Sequence, residues 1–292
     1  MKADWRLSRR SFISAVTGTA ISTSLGNLST GEEVVPFKKA ILLGMLPSGM
    51  PLRDRIKLAK DVGFDGLEIP PMDEEAAKKL REVAEDVGIE LHSIIYGGWH
   101  APLSSADEKV IEAGLEGLKR ALHTAKIVGA DAVLLVPGIV NAQVRYAECY
   151  ERSQRNIKRI LPIAEELGVT IAVENVWNNF LLSPIEFARY VDEFGSKRLR
   201  AYFDVGNIVK FGFPEDWILT LGKRIVKVHL KDFKRDRNEF VMLLEGDVNW
   251  KAVRRALLEI GYSGYLTAEL SGGNEAYLRD VSARMDKIIK GV

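Results

Sequence analysis

Apolar and polar positions alternate between two rhythms along most of the chain. Amphipathic stretches with helical spacing end on an apolar residue and a glycine, and a short apolar run follows within a few residues. The stops are Gly63, Gly88, Gly129, Gly168, Gly195, Gly222 and Gly261, as expected of a residue that tolerates the left-handed conformation after a helix. The runs cover 40–44, 66–69, 89–95, 132–136, 169–173, 199–203, 225–230 and 265–270. Most are rich in Val, Ile and Leu, as strands buried on both faces must be. Helices are predicted between them over 51–62, 74–87, 107–128, 147–167, 184–194 and 250–260. Eight strand–helix units predict an α/β fold, a single (β/α)8 barrel over residues 37–292. An open dinucleotide-binding sheet is disfavoured, because no G-x-G-x-x-G follows the first strand.

Residues 1–36 do not share this rhythm. Lys2, Arg6, Arg9 and Arg10 precede a weakly apolar stretch rich in Ser, Thr, Gly and Ala. The order Ser8, Arg9, Arg10, Ser11, Phe12, Ile13 resembles a twin-arginine export signal. The expectation is a signal and linker over 1–36, engagement of the export machinery and a periplasmic location. Without that signal the location would be cytoplasmic.

Composition narrows the chemistry. The 292 residues include 41 Lys+Arg and 40 Asp+Glu, a net charge of +1. That balance speaks against a nucleic-acid partner, which calls for a basic face. One cysteine excludes an intramolecular disulfide, and four histidines exclude a histidine-rich metal cluster. The latter also argues against an apurinic-site endonuclease on the same scaffold.

Barrel enzymes carry their chemistry where strands end. Four consecutive apolar runs close on a charged or metal-ligating residue: Glu174, Asp204, His229 and Glu269. Three carboxylates gathered at one mouth need a counter-charge. One divalent ion provides it, with Mn²⁺ the first expectation and Mg²⁺, Co²⁺ and Zn²⁺ compatible with the donor set. Glu68 and His92, also in strands, are candidates to bind substrate hydroxyls at the same mouth. Trp177 is a candidate stacking wall, and Lys231 lies one strand alternation past His229.

These residues sit in the stretches 172–175 (AVEN), 204–207 (DVGN), 228–232 (VHLKD) and 267–270 (TAEL). As a set they resemble the xylose-isomerase-like barrel superfamily of sugar isomerases and epimerases. The branch containing L-ribulose-5-phosphate 3-epimerase and hexulose-6-phosphate isomerase-like proteins is the nearer one, and the D-tagatose 3-epimerase branch more distant. The resemblance spans about residues 38–290. It implies metal ligation by Glu174, Asp204, His229 and Glu269, with Glu174 and Glu269 also moving protons. It further implies that Arg235 contacts substrate. Asn207 stands where the tagatose branch has a histidine, and is a candidate substrate contact.

The expected reaction is metal-dependent epimerisation or aldose–ketose isomerisation of a ketose through an enediolate. Two alternatives remain open. One is a lyase that cleaves 3-keto-glycosides by β-elimination on the same scaffold. The other is an exported sugar-binding protein without catalysis. Assembly into a homo-oligomer is compatible with each.

Overall fold

The computed structural model of the chain describes residues 36–291. The export signal expected over 1–36 lies outside the described residues, except for Pro36.

Each apolar run becomes a strand because its neighbours leave no polar face to turn outward. In chain order the elements are β1 (Phe37–Leu42), α1 (Leu52–Asp61), β2 (Gly66–Ile69), α2 (Glu74–Val87), β3 (Glu90–Gly97), α3 (Glu108–Val128), β4 (Ala132–Leu135) and α4 (Tyr146–Leu167). Then follow β5 (Thr170–Glu174), α5 (Pro184–Asp192), β6 (Leu199–Asp204), α6 (Val205–Val209), α7 (Pro214–Leu221) and β7 (Ile225–Leu230). The chain closes with β8 (Asp232–Lys234), β9 (Glu239–Val241), α8 (Trp250–Glu259), β10 (Gly264–Ala268) and α9 (Glu275–Lys290).

Eight parallel strands form a closed barrel in the order β1-β10-β7-β6-β5-β4-β3-β2. The predicted (β/α)8 barrel is the observed one. Gly88, Gly129 and Gly168 end α2, α3 and α4 in the left-handed conformation, with φ of 75°, 79° and 72°. Asp73 starts α2 by accepting from Ala76 N at 2.8 Å.

The main apolar core fills the shell between strands and helices. A separate small cluster of Leu134, Ala172 and Tyr202 packs on inward-facing strand positions. Above it, the inward positions turn polar.

Two parts differ from the expectation. The helix between β6 and β7 is split, because α6 starts directly at the end of β6 and Gly212 precedes a second start at Pro214. The segment after β7, where no strand was predicted, pairs as a hairpin of β8 and β9.

Candidate metal centre

Register brings the strand tips to a common height. Asp204 of β6 and His229 of β7 are direct partners in the ladder. Glu174 closes β5, and Glu269 follows β10 with its N–H donated to Leu230 O at 3.2 Å. One ligand atom from each of Glu174, Asp204, His229 and Glu269 lies within 4.8 Å of all the others.

His229 is the pivot. Its Nδ1 lies 3.0 Å from Glu174 Oε1, 2.8 Å from Glu269 Oε2 and 4.0 Å from Asp204 Oδ2. Its Nε2 lies 2.6 Å from Glu68 Oε2. For Nδ1 to offer a lone pair, the proton must sit on Nε2, where Glu68 accepts it. Ser93 Oγ in turn donates to Glu68 Oε1 at 2.7 Å. A histidine oriented by a carboxylate, itself held by a hydroxyl, is the usual support of a metal ligand.

Asp204 is divided between two tasks. Its Oδ1 accepts from Asn207 N at 2.7 Å and so starts α6. Its Oδ2 is buried and accepts no well-aligned hydrogen bond, and the same holds for Glu269 Oε2. Lys231 Nζ lies 3.2 Å from the former and 2.8 Å from the latter as an ion pair. Two buried carboxylate oxygens without hydrogen bonds would be costly to retain without a further cation. Lys231 would offset one of the charges on Glu174, Asp204 and Glu269 and a divalent ion two more, while Glu68 is held by Ser93 and the His229 Nε2 proton. The oxygen-rich donor set with one imidazole fits such an ion.

The electrostatics express the same crowding. Burial, with Glu269 as a like charge, raises the Glu174 carboxyl to about 7 despite its contact with His229. Burial also raises Asp204. For Glu269 the burial penalty is outweighed by His229 and Lys231, which hold its carboxyl low. Burial likewise opposes charge on His229, but Glu269 and Glu68 outweigh it and raise the imidazole well above its ordinary value.

Backbone packing enforces this geometry. The side-chain amide of Asn175 takes both backbone groups of Asp204, donating to its O at 2.8 Å and accepting from its N at 2.9 Å. That extends the β5–β6 ladder one residue beyond the strand. Gly206 lies so close to Lys231 that a Cβ there would meet Lys231 Cβ at 2.5 Å and its carbonyl at 2.8 Å. Asp232 is fully buried and accepts from Phe233 N at 2.9 Å, Leu244 N at 2.9 Å and Trp250 Nε1 at 3.0 Å. It gathers the whole segment between β7 and α8 around one carboxylate.

The other expected contacts are distributed unevenly. Glu68 belongs to the centre but lies beneath His229, fully buried, with both oxygens engaged. His92 is near the start of β3. It stacks on Tyr265 with centroids 4.1 Å apart, and its Nε2 lies 3.2 Å from Thr267 Oγ1. It lines a cavity with Lys38, Lys227 and Gly264, residues at or near strand beginnings, at the end of the barrel opposite the carboxylates. Arg235 is turned away: its guanidinium donates to Val209 O at 2.8 Å and Gly212 O at 3.0 Å, securing the turn after α6. Trp177 stacks on Phe240 with centroids 5.0 Å apart. Phe240, Lys231, Glu269 and Tyr277 border a cavity of about 630 Å³ over the centre.

Sequence reasoning overlooked Asn175, Ser93 and Asp232 as supports. The available signals were an amide next to Glu174 and an acid inside the stretch 228–232.

The model of the xylose isomerase-like TIM barrel family matches residues 56–288. The chain belongs to that family. L-ribulose-5-phosphate 3-epimerase UlaE of Escherichia coli O1:K1 / APEC is 30% identical over 277 residues, covering 86% of this chain and 97% of that one. Among solved structures, a D-tagatose 3-epimerase-like protein superposes with a TM-score of 0.75 at 21% identity, over 86% of this chain and 98% of that one. The 3-keto-D-glucoside 4-epimerase YcjR from E. coli, in its apo form, gives 0.73 at 14% identity over 86% and 98%. At those identities the structures speak for the fold.

Proposed function

We propose that this chain is a divalent-metal-dependent isomerase that epimerises a keto sugar at the carbon beside its carbonyl. The carrying observation is the convergence of Glu174, Asp204, His229 and Glu269, with two buried carboxylate oxygens that share one ammonium, that of Lys231. The 3-epimerase relative, similar over nearly its whole length, supports the reaction class.

When bound, the ion supplies Lewis-acid polarisation of the carbonyl and an adjacent hydroxyl. The chain supplies the proton carriers. Glu174 and Glu269 stand on β5 and at the end of β10, with β6 and β7 between them in the barrel order. That separation favours approach to one carbon from two sides: one carboxylate removes the proton, and the other returns one on the opposite face. Lys231, tied to Asp204 and Glu269, is a cation at hand for a substrate oxygen.

Two observations favour a sugar without a phosphate. Arg235 is engaged with backbone carbonyls, and Lys234 pairs with Asp247 at 2.6 Å. The resemblance of residues 8–13 to an export signal would, as a proposal, place the work outside the cytoplasm, where sugar phosphates are scarce.

Incubation of free ketoses with the chain and Mn²⁺ in deuterated water tests the reading. Deuterium should enter the carbon beside the carbonyl, and Glu174→Gln should slow this by roughly 10²–10⁴-fold. Equal rates for the variant and the unaltered chain would refute the role given to Glu174.

A further inference from the structure

The cavity of about 630 Å³ over the centre has Lys231 and Glu269 in its lining, so a ligand that fills it meets the carboxylate cluster directly. The β9 strand supplies Phe240 to this lining, and the chain after β10 supplies Ser271 and Tyr277.

Phe240 is fixed in advance. Its ring stacks on Trp177 with centroids 5.0 Å apart and planes 24° apart, and it meets Phe233 edge-on at 5.3 Å. Phe233 is buried and is its partner in the β8–β9 register. The hairpin in turn is tied to the buried Asp232. Phe240 nonetheless remains 45% exposed. An open ring already locked by its own packing suits ligand stacking, because binding then orders no side chain. Lys231 Nζ lies 5.6 Å from the centre of this ring and 2.8 Å from Glu269 Oε2, so one ammonium spans the gap between ring and carboxylates. Trp177, the stacking wall expected from the sequence, backs Phe240 and borders a different cavity.

Ser271 and Tyr277 bring hydroxyls to the same space. Among the described residues, neither Ser271 Oγ nor Tyr277 Oη has a hydrogen-bond partner. Tyr277 is seated by backbone packing: Asn274 Oδ1 accepts from its N–H at 3.0 Å, and its ring lies so close to Gly273 that a Cβ there would come within 2.5 Å of it. Lys231 is the one cation of the lining among the described residues, and it is engaged by Asp204 and Glu269. The cavity therefore offers an aromatic ring and free hydroxyls, the complements of a neutral sugar with its C–H face and its hydroxyl edge.

We propose that Phe240 orients the substrate by stacking on the C–H face of the sugar, with Tyr277 and Ser271 taking hydroxyls beside it. The inference rests on the four-residue cluster being the reaction centre. Phe240 moves no proton and holds the sugar equally in the ground state and the transition state. Its loss therefore raises KM and leaves kcat nearly unchanged.

Calorimetric titration of the full chain with Mn²⁺ present, using D-fructose, D-tagatose and L-ribulose, tests this together with deuterium exchange into the same sugars. Phe240→Leu removes the aromatic face but keeps an apolar contact for the hairpin. It should weaken binding and raise KM by about tenfold, with kcat within about threefold of the parent. Phe240→Tyr restores the face and should bind within about threefold of the parent. Tyr277→Phe should weaken binding by about three- to tenfold, and Mn²⁺ affinity should be unchanged in all three variants. The proposal is overturned by Phe240→Leu binding as the parent does, by no binding of any of the three sugars to the parent, or by Mn²⁺ affinity falling in step with sugar affinity. Tyr277→Phe binding as the parent does would overturn the hydroxyl contact. The two readings fail differently: exchange with equal binding by Phe240→Leu leaves the reaction without the stacking ring, and ring-dependent binding with no exchange leaves the stacking ring without the reaction.

Discussion

His229 and Glu68 form a pair across the barrel interior, with Nε2 2.6 Å from Oε2 and both residues fully buried. The pair fixes which nitrogen of the ring faces Glu174 and Glu269. Replacing Glu68 with Gln keeps the shape but allows the amide to donate, which favours the other tautomer. Mn²⁺ affinity should fall by about 10–100-fold, measured by calorimetry. Unchanged affinity would mean that Glu68 does not set the tautomer.

The buried oxygens of Asp204 and Glu269, which share the single ammonium of Lys231, make the metal a stabilising ligand. At a free concentration 100 times its dissociation constant, Mn²⁺ should add about 2.7 kcal/mol to unfolding. Urea titrations with metal and with a chelator measure the difference. Asp204→Asn should abolish most of the increment, and an increment retained in that variant would place the ion elsewhere.

Gly206 tests the backbone side of the same geometry. A methyl group there collides with Lys231 backbone as well as its Cβ, so rotamer changes cannot relieve it. Gly206→Ala should cost about 1–3 kcal/mol in stability and weaken Mn²⁺ binding together with it. A variant as stable as the parent would show that α6 can draw back from Lys231 at little cost.

The barrel was legible because its strands are short apolar runs, all but the first with a glycine stop before them, and the four tips because charge closing such a run is conspicuous. Depth within a strand was not. Glu68 and His92 both read as polar residues in strands, yet the first sits under the imidazole and the second near the opposite end of the barrel. The difference comes from β3 beginning only two residues before His92, and from a register shift between Leu67 and Glu68. The surroundings of Arg235 were not legible for another reason. Its spacing from His229 fits a substrate contact, but the β8–β9 hairpin aims it at Val209 and Gly212. Strands of three residues with charged members, like β8, carry no periodic signal.

His92 makes stability sensitive to acid. Burial, aided by Lys227, holds its imidazole well below the ordinary value, so the folded form keeps it neutral. The unfolded chain takes up a proton near pH 6.5. The stabilising contribution is therefore complete above that pH and is lost as pH falls, by up to about 1.4 kcal/mol per pH unit. Between pH 7 and 5.5, His92→Phe should lose about 1 kcal/mol less than the parent in urea unfolding. Parallel losses in the two proteins would show that His92 accepts a proton in place.

The most direct measurement is anomalous diffraction from crystals grown with Mn²⁺. One peak should appear within coordination distance, roughly 2.0–2.5 Å, of Glu174, Asp204, His229 Nδ1 and Glu269, with Glu68 remaining on Nε2. No peak among these residues at saturating Mn²⁺, or an ion held by a different set, would contradict the account.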